Sequence, residues 1–356
     1  MSAYEAYQGT RPVADAHRFD VAALEAYMAA NVPGFRGPLA VEQFKGGQSN
    51  PTFLLRGAAA SYVMRRKPPG KLLPSAHAVD REYRVITALA GTGVPVPRTF
   101  CLCTDESVIG AMFYVMEHVE GRVLWDPRLP GMSPAERRAI FGEMNRVIAA
   151  LHRVDHAAIG LADYGKPGNY FARQIDRWSK QYVASETEKI EAMDRLIEWL
   201  PRNIPADERT SIVHGDFRLD NMIFHPAEPR VLAVLDWELS TLGHPMADFA
   251  YHAMVWRLAP DEFRGLRGAD LAALGIPSEA EYLDMYLQRT GARRPQVKDW
   301  EFYIVFNLFR AAAIFQGVMA RAIAGNAASA RALETGRRAR PTAELAWRQV
   351  EQLPHS

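Results

Sequence analysis

The stretch Ser211–Pro226, "SIVHGDFRLDNMIFHP", sets a histidine, two aspartates, an arginine and an asparagine between two apolar runs. Asp216 and Asn221 stand five apart, with Phe217 and Leu219 between them. That spacing is too irregular for strand alternation and too short for a helix, so it predicts a loop anchored by "IV" before it and "MIF" after it. Fifteen residues after Asn221, the apolar run "VLAVLD" delivers Asp236 at a strand end. Two strands joined by a tight turn would bring Asn221 and Asp236 to the same edge. An amide oxygen and a carboxylate are hard donors of the kind that hold Mg²⁺ jointly with phosphates. Asp216, set apart from that pair, is left to accept a hydroxyl proton.

Bulk properties limit what such a loop can belong to. The chain has 356 residues and 48% hydrophobic content, enough for two lobes with a sizeable core. Its formal net charge of +1 provides no overall field toward nucleic acid or an anionic membrane, and neither is an expected partner. The two cysteines, Cys101 and Cys103 in "TFCLC", cannot complete a tetrahedral zinc site and suit one face of a strand, as structural thiols in a reducing compartment. The first twenty residues lack the apolar core of a secretory signal. The most apolar window, 302–320, is interrupted by Asn307, Arg310 and Gln316, so it reads as a buried helix. The expectation is a cytoplasmic protein.

Outward from the loop, the two flanks differ in texture. Asp20 reads as the N-cap of "VAALEAYMAANV", which Pro33-Gly34 ends. "LAVEQF", "NPTFLLRG", "SYVMRR", "TFCLCTD" and "AMFYVMEHVEG" read as five strands, and "AHAVDREYRVITALAGTG" as the long helix carried on one face of their antiparallel sheet. After Gly121 the chain turns helical, beginning with the capping box Ser133-Pro134-Ala135-Glu136. The predicted fold class is α+β and bilobal. Residues 1–19 form an extension, 20–118 a nucleotide-binding N-lobe, and 119–356 a mainly helical C-lobe with the catalytic loop and acceptor site. The crevice between the lobes is the default ligand site.

The strings "VHGDFRLDNMIF" and "VLAVLDWELSTLGHPMADFAY" resemble the aminoglycoside phosphotransferase and choline kinase superfamily, whose fold is protein-kinase-like. The order of the polar groups also matches the phosphoryl-transfer template of protein kinases. "GGQSNPTFLL", "RRKPPGKLLPSAHAVDREYRV" and "LIEWLP" look closer to the kinase-like domain that animals carry fused to an acyl-CoA dehydrogenase. The likeness runs from about Asp20 onward. It implies that Asp216 orients or deprotonates the acceptor hydroxyl, and that Asn221 and Asp236 bind the metal bridging the phosphates of ATP. His214 and Asp248 would brace the loop, and Glu238 matches an acidic position that sometimes assists the metal. Arg218 and Asp220 are given no chemistry.

At the nucleotide end, "KGGQSN" lies between two strands, so Gly46, Gly47, Gln48, Ser49 and Asn50 can turn backbone N–H groups toward phosphate. The resemblance puts Arg65 where the superfamily often has a lysine, with Glu82 as its partner and Lys67 as the other candidate phosphate contact. It makes Glu117 and Val119 the hinge that offers backbone groups to adenine. On the acceptor side, Tyr303, Asn307, Arg310, Ile314 and Arg321 share one helix face. Asn307 and Arg310 are the candidates for an anionic substrate, with ion pairing to a neighbouring helix as the alternative. The activity implied is an ATP- and Mg²⁺-dependent kinase acting on a small-molecule hydroxyl, with a 4-hydroxyacyl-CoA as the acceptor of the nearest subgroup. A nucleotide-binding pseudokinase, an aminoglycoside- or choline-type kinase and a metal-dependent hydrolase built on His214, Asp216 and Asp236 are the competing readings.

Overall fold

The computed structural model describes residues 9–45, 50–68, 78–260, 264–325 and 331–353. The chain packs as two units, Met1–Trp125 with Asp220–Ser240, and Asp126–Leu219 with Thr241–Ser356.

The first unit is built on a six-stranded antiparallel sheet in the order β1-β2-β3-β4-β6-β5. Its strands are β1 (Thr10–Arg11), β2 (Ala40–Phe44), β3 (Thr52–Arg56), β4 (Ser61–Arg66), β5 (Thr99–Cys103) and β6 (Phe113–Glu117). Both faces are covered, where the sequence suggested one. On one side Leu24 and Met28 of α1 (Val21–Asn31) pack with Phe53, Leu55, Met64, Cys101, Cys103, Phe113 and Val115. The carboxylate of Asp20 caps that helix by accepting from the Ala23 N–H at 3.0 Å. On the other side lies α2 (Val79–Leu89), burying Val79, Glu82, Val85, Ile86 and Leu89. Coverage on both faces is why β4 is buried at five of its six positions instead of alternating. Both cysteines are buried free thiols, and burial followed by the neighbouring Cys103 pushes the Cys101 thiol up to about 11.

Two boundaries differ from expectation. Within the predicted extension 1–19, Thr10 and Arg11 join the sheet by pairing with Phe44 and Gln43, and Phe19 meets the Phe53 ring edge-on. The segment expected to sit wholly in the C-lobe is split. The hairpin of β8 (Met222–Phe224) and β9 (Val231–Val234) belongs to the first unit, tied by the Arg122–Phe224 bridge and by the Val234 N–H on the Pro95 carbonyl at 2.9 Å.

The second unit is mainly helical. Its helices are α3 (Pro134–His152), α4 (Tyr170–Ala184), α5 (Glu191–Trp199), α6 (Pro245–Ala253), α7 (Leu271–Leu274), α8 (Glu279–Thr290), α9 (Val297–Ile323), α10 (Ala332–Gly336) and α11 (Ala339–Glu351). The capping box at Ser133 and Glu136 forms in both directions. A small antiparallel pair, β7 (Ser211–Val213) with β10 (Thr241–Gly243), marks where the chain leaves this unit and where it returns. Among the described residues one helix, α9, is long and apolar enough to cross a membrane by length and composition, but 83% of its most apolar window is buried inside the protein.

Candidate active site

The residues singled out from the sequence fall into two groups, one in each unit. In the first unit, the β8–β9 hairpin delivers Asn221 and Asp236 together. Met222 pairs with Val234, and the next Leu235 N–H donates to the Asn221 carbonyl at 2.8 Å, so the two residues flank the same open end. Asp236 is held at φ 66° and ψ 58°, a left-handed conformation that costs a non-glycine residue about 1 kcal/mol or more and recurs at functional sites.

Arg65 meets this hairpin from β4. Both of its terminal nitrogens lie 3.1 Å from Asp236 Oδ1, its Nε is 3.2 Å from Glu82 Oε2, and Glu238 is 3.9 Å away. Glu82 is almost fully buried and also accepts from Asn50 at 2.9 Å and from the Tyr114 hydroxyl at 3.2 Å. Burial alone would weaken the Arg65 charge, but Glu82, Tyr114, Asp236 and Glu238 outweigh it and hold the guanidinium protonated well above its usual range. The predicted Arg65–Glu82 pairing is therefore present, with Asp236 as an additional partner.

The donor set fits Mg²⁺. Backbone pairing sets Asn221 and Asp236, both carriers of hard oxygen donors, at one hairpin end, and among the described residues no donor sits on Asp236 Oδ2 while Arg65 occupies Oδ1. No cluster of three His, Cys, Asp or Glu exists among the described residues.

In the second unit, the catalytic-loop candidates converge on Asp248 of α6. Its buried carboxylate accepts from the backbone N–H of His214 at 2.7 Å and of Gly215 at 2.8 Å, and meets His152 Nε2 at 3.2 Å. Burial works against that charge, yet His152 and His214 more than offset it and lower the Asp248 carboxyl below its ordinary value. His214 is fully buried, and its Nδ1 accepts from the Asp216 N–H at 3.2 Å. Gly215 has φ 82°, which a side-chain-bearing residue adopts only under strain. The Asp216 carboxylate itself accepts from the Tyr251 hydroxyl and is forked by Arg218, with Nε at 2.8 Å from Oδ1 and Nη2 at 3.2 Å from Oδ2.

Several expectations are corrected here. Asn50 is buried with its side-chain amide on Glu82, so that side chain steadies the α2 carboxylate. The Glu117 N–H donates to the Arg98 carbonyl at 2.8 Å, so that one backbone group is not open to adenine; Val119 lies two residues past that strand. Asn307 is fully buried, donating to the carbonyls of Ala247 and Tyr303, both at 2.9 Å. Arg310 is equally inward: its Nη2 donates to the Gly215 carbonyl at 2.7 Å, and its guanidinium lies over the rings of Tyr251 and Trp178. Both side chains are thus engaged by backbone carbonyls in the interior, and among the described residues Arg310 has no carboxylate partner. Gly46, Gly47, Gln48 and Ser49 lie outside the described residues.

Tyr251, Arg218 and His152 carry parts of the site that sequence reasoning did not assign. Tyr251 left one usable signal: it stands three residues after Asp248 on the same helix, so both face the loop.

Comparison with known proteins agrees with this geometry. Residues 40–300 match the model of the phosphotransferase enzyme family. Acyl-CoA dehydrogenase family member 10 of Mus musculus is 49% identical over 342 residues, 95% of this chain and 32% of that protein. Acyl-CoA dehydrogenase family member 11 of Rattus norvegicus is 45% identical over 336 residues, 92% of this chain and 43% of that protein. The chain thus spans less than half the length of these curated relatives. A Ralstonia eutropha crystal structure, described as that of a candidate aminoglycoside phosphotransferase, matches with a TM-score of 0.87 at 62% identity, over 95% of this chain and 100% of that one. Choline kinase from Cryptosporidium parvum shares the fold, with a TM-score of 0.65 at 13% identity over 94% of this chain and 96% of that one.

Proposed function

Because the chain belongs to the phosphotransferase enzyme family, we propose that it transfers the γ-phosphoryl group of ATP, with Mg²⁺, to the hydroxyl of a small anionic acceptor of the 4-hydroxyacyl-CoA class. The observation that carries the reading is the hairpin end that sets Asn221 beside Asp236, five residues along the chain from the loop carboxylate Asp216. In the reaction the acceptor oxygen forms a bond to the γ-phosphorus while the bond to the bridging β-oxygen breaks, releasing ADP. The acceptor proton passes to Asp216 or, through it, to solvent. Asn221 and Asp236 would hold Mg²⁺, which supplies charge neutralisation at the phosphates when bound. Asp216, steadied by Tyr251 and Arg218, orients the attacking hydroxyl, and Arg65 keeps the Asp236 carboxylate aimed.

Guanidinium groups gather around Tyr170, Trp178 and Tyr251 in the unit that holds Asp216. Arg310 sits over Tyr251 and Trp178, Arg177 lies over the Trp178 ring at 5.5 Å, and Arg173 is spent on the carbonyls of Lys166 and Gly168. Burial raises the Tyr170 phenol, and Arg310, Arg173 and Arg177 are all close enough to oppose it. The acyl-CoA dehydrogenase names of the relatives favour a coenzyme A thioester as the acceptor, and a cytoplasmic setting is part of the same proposal.

A coupled ADP-release assay with a short 4-hydroxyacyl-CoA, kanamycin, choline and ethanolamine as separate acceptors tests this. Phosphoryl transfer to the thioester alone is the expected result, abolished in Asp236→Ala, while Asp216→Asn keeps MgATP binding and loses turnover. Transfer only to a cationic acceptor, or full turnover by Asp216→Asn, overturns it.

A further inference from the structure

We infer that Tyr251 is a positioning residue for Asp216, and that Arg310 is the strut that holds both the tyrosine and the loop backbone in register. The inference rests on Asp216 being the carboxylate that meets the acceptor hydroxyl.

Besides His214 on its N–H and Arg218 on its carboxylate, Asp216 is reached along two further routes from the helical unit. The first is through its own backbone, since the preceding Gly215 carbonyl accepts from Arg310 Nη2 at 2.7 Å. The second is through its side chain, since Oδ1 accepts from the hydroxyl of Tyr251, whose ring lies 5.2 Å beneath the same guanidinium. Arg310 is itself fixed from the other side by the Trp178 ring at 5.6 Å. A guanidinium is a rigid plane that can stack on aromatic faces while donating in its own plane, so one group can fix a peptide and a phenol together. Lysine, with a single rotating ammonium, could not do both. Tyr251 is 9% exposed and Arg310 7%, so neither side chain has room for another rotamer without unpacking its neighbours.

The consequence is directional. A carboxylate on a short side chain can turn about χ2, and a hydroxyl acceptor is activated only if one oxygen points at it. Arg218 approaches both oxygens from one direction, and the Tyr251 hydroxyl on Oδ1 adds the second constraint on the plane of the group. Removing that hydroxyl while keeping the ring leaves Arg310, Gly215 and the fold untouched and frees only the orientation of Asp216. Misplacement of a reacting group by about 1 Å costs roughly 100-fold in rate, so a loss of about 10- to 100-fold in kcat is expected.

The test is Tyr251→Phe, assayed with MgATP and a short 4-hydroxyacyl-CoA, alone and combined with Asp216→Asn. The single variant should lose about 10- to 100-fold in kcat, with KM for both substrates and calorimetric MgATP affinity within about twofold and the thermal midpoint within about 2 °C. Arg310→Lys should show a similar kcat loss, and Tyr251→Phe should add nothing to it beyond about twofold. In the Asp216→Asn background, where there is no carboxylate to aim, Tyr251→Phe should have no further effect on residual turnover. Wild-type kcat in Tyr251→Phe, a loss expressed in KM, or full additivity with Asp216→Asn each overturns the inference. A wild-type protein that transfers to no hydroxyl acceptor overturns the proposed function instead.

Discussion

Arg65 is the residue whose removal should be felt most sharply in the first unit. Its Nε is 3.2 Å from a Glu82 carboxylate whose side chain is 1% exposed, and its terminal nitrogens are 3.1 Å from Asp236, whose side chain is 36% exposed. With an effective dielectric constant of about 20 for the buried pair, the attraction to Glu82 is about 5 kcal/mol; for the wetter Asp236, at a value near that of water, it is about 1 kcal/mol. Replacing Arg65 with methionine keeps the aliphatic stem and strands the Glu82 charge, which Asn50 and Tyr114 only partly satisfy. Breaking one side of a buried ion pair typically costs about 3–5 kcal/mol, and the Coulomb figure for Glu82 falls at the top of that range. Removing both charges together is far cheaper, because no ion is then left in the core. Urea unfolding should therefore show Arg65→Met destabilised by about 3–5 kcal/mol, and Arg65→Met with Glu82→Leu recovering at least half of that loss. Turnover should stay low in both, because Asp236 has lost its guide in each. If Arg65→Met unfolds within about 1 kcal/mol of the parent, or the double variant is no better than the single, the pair does not organise this unit and the reasoning fails.

Acid should weaken the second unit before any carboxylate protonates. Burial lowers both His244 and His252 from 6.5 to about 4, overriding the nearby Asp207 in the first case and Asp248 in the second. Each ring therefore binds its proton more weakly folded than unfolded, so its penalty is absent above about pH 6.5, grows as pH falls, and levels off below about 4. At pH 5 this amounts to about 2 kcal/mol per ring, and His252→Gln should shrink the loss between pH 7 and pH 5 by that amount in urea titrations; an unchanged pH dependence would contradict the burial account. Gly121 should tolerate no side chain, because a Cβ there would meet the Phe224 carbonyl at 2.3 Å and the Ile223 methyl at 2.5 Å. Gly121→Ala should cost about 1–3 kcal/mol and weaken MgATP binding by loosening the hairpin that carries Asn221 and Asp236, and calorimetry showing parental affinity would refute that link.

What the sequence made legible, and what it hid, divides along a physical line. Features set by local chemistry were readable: the Asp20 cap, the Ser133–Glu136 box, and the β8–β9 hairpin that joins Asn221 to Asp236. Features set by distant backbone were not. β1 is two residues long and exists only because β2 offers an edge, so nothing in "TR" announces it. The helix "VAALEAYMAAN" is apolar nearly all round, so periodicity could not show that it covers the second face of the sheet. The same limit explains Asn307 and Arg310. A polar pair on an apolar helix face must have partners, but sequence cannot distinguish a ligand from a carbonyl that any residue would supply, and the partners here are the carbonyls of Ala247, Tyr303 and Gly215. That outcome changes what the helix is for. Asp248 grips the Gly215 peptide by its N–H and Arg310 grips it by its carbonyl, so the residue before Asp216 is clamped from both sides by side chains 33 and 95 positions away. A left-handed glycine is the most mobile residue a loop could place there, and clamping both of its polar groups is what turns that mobility into a fixed direction for the carboxylate that follows.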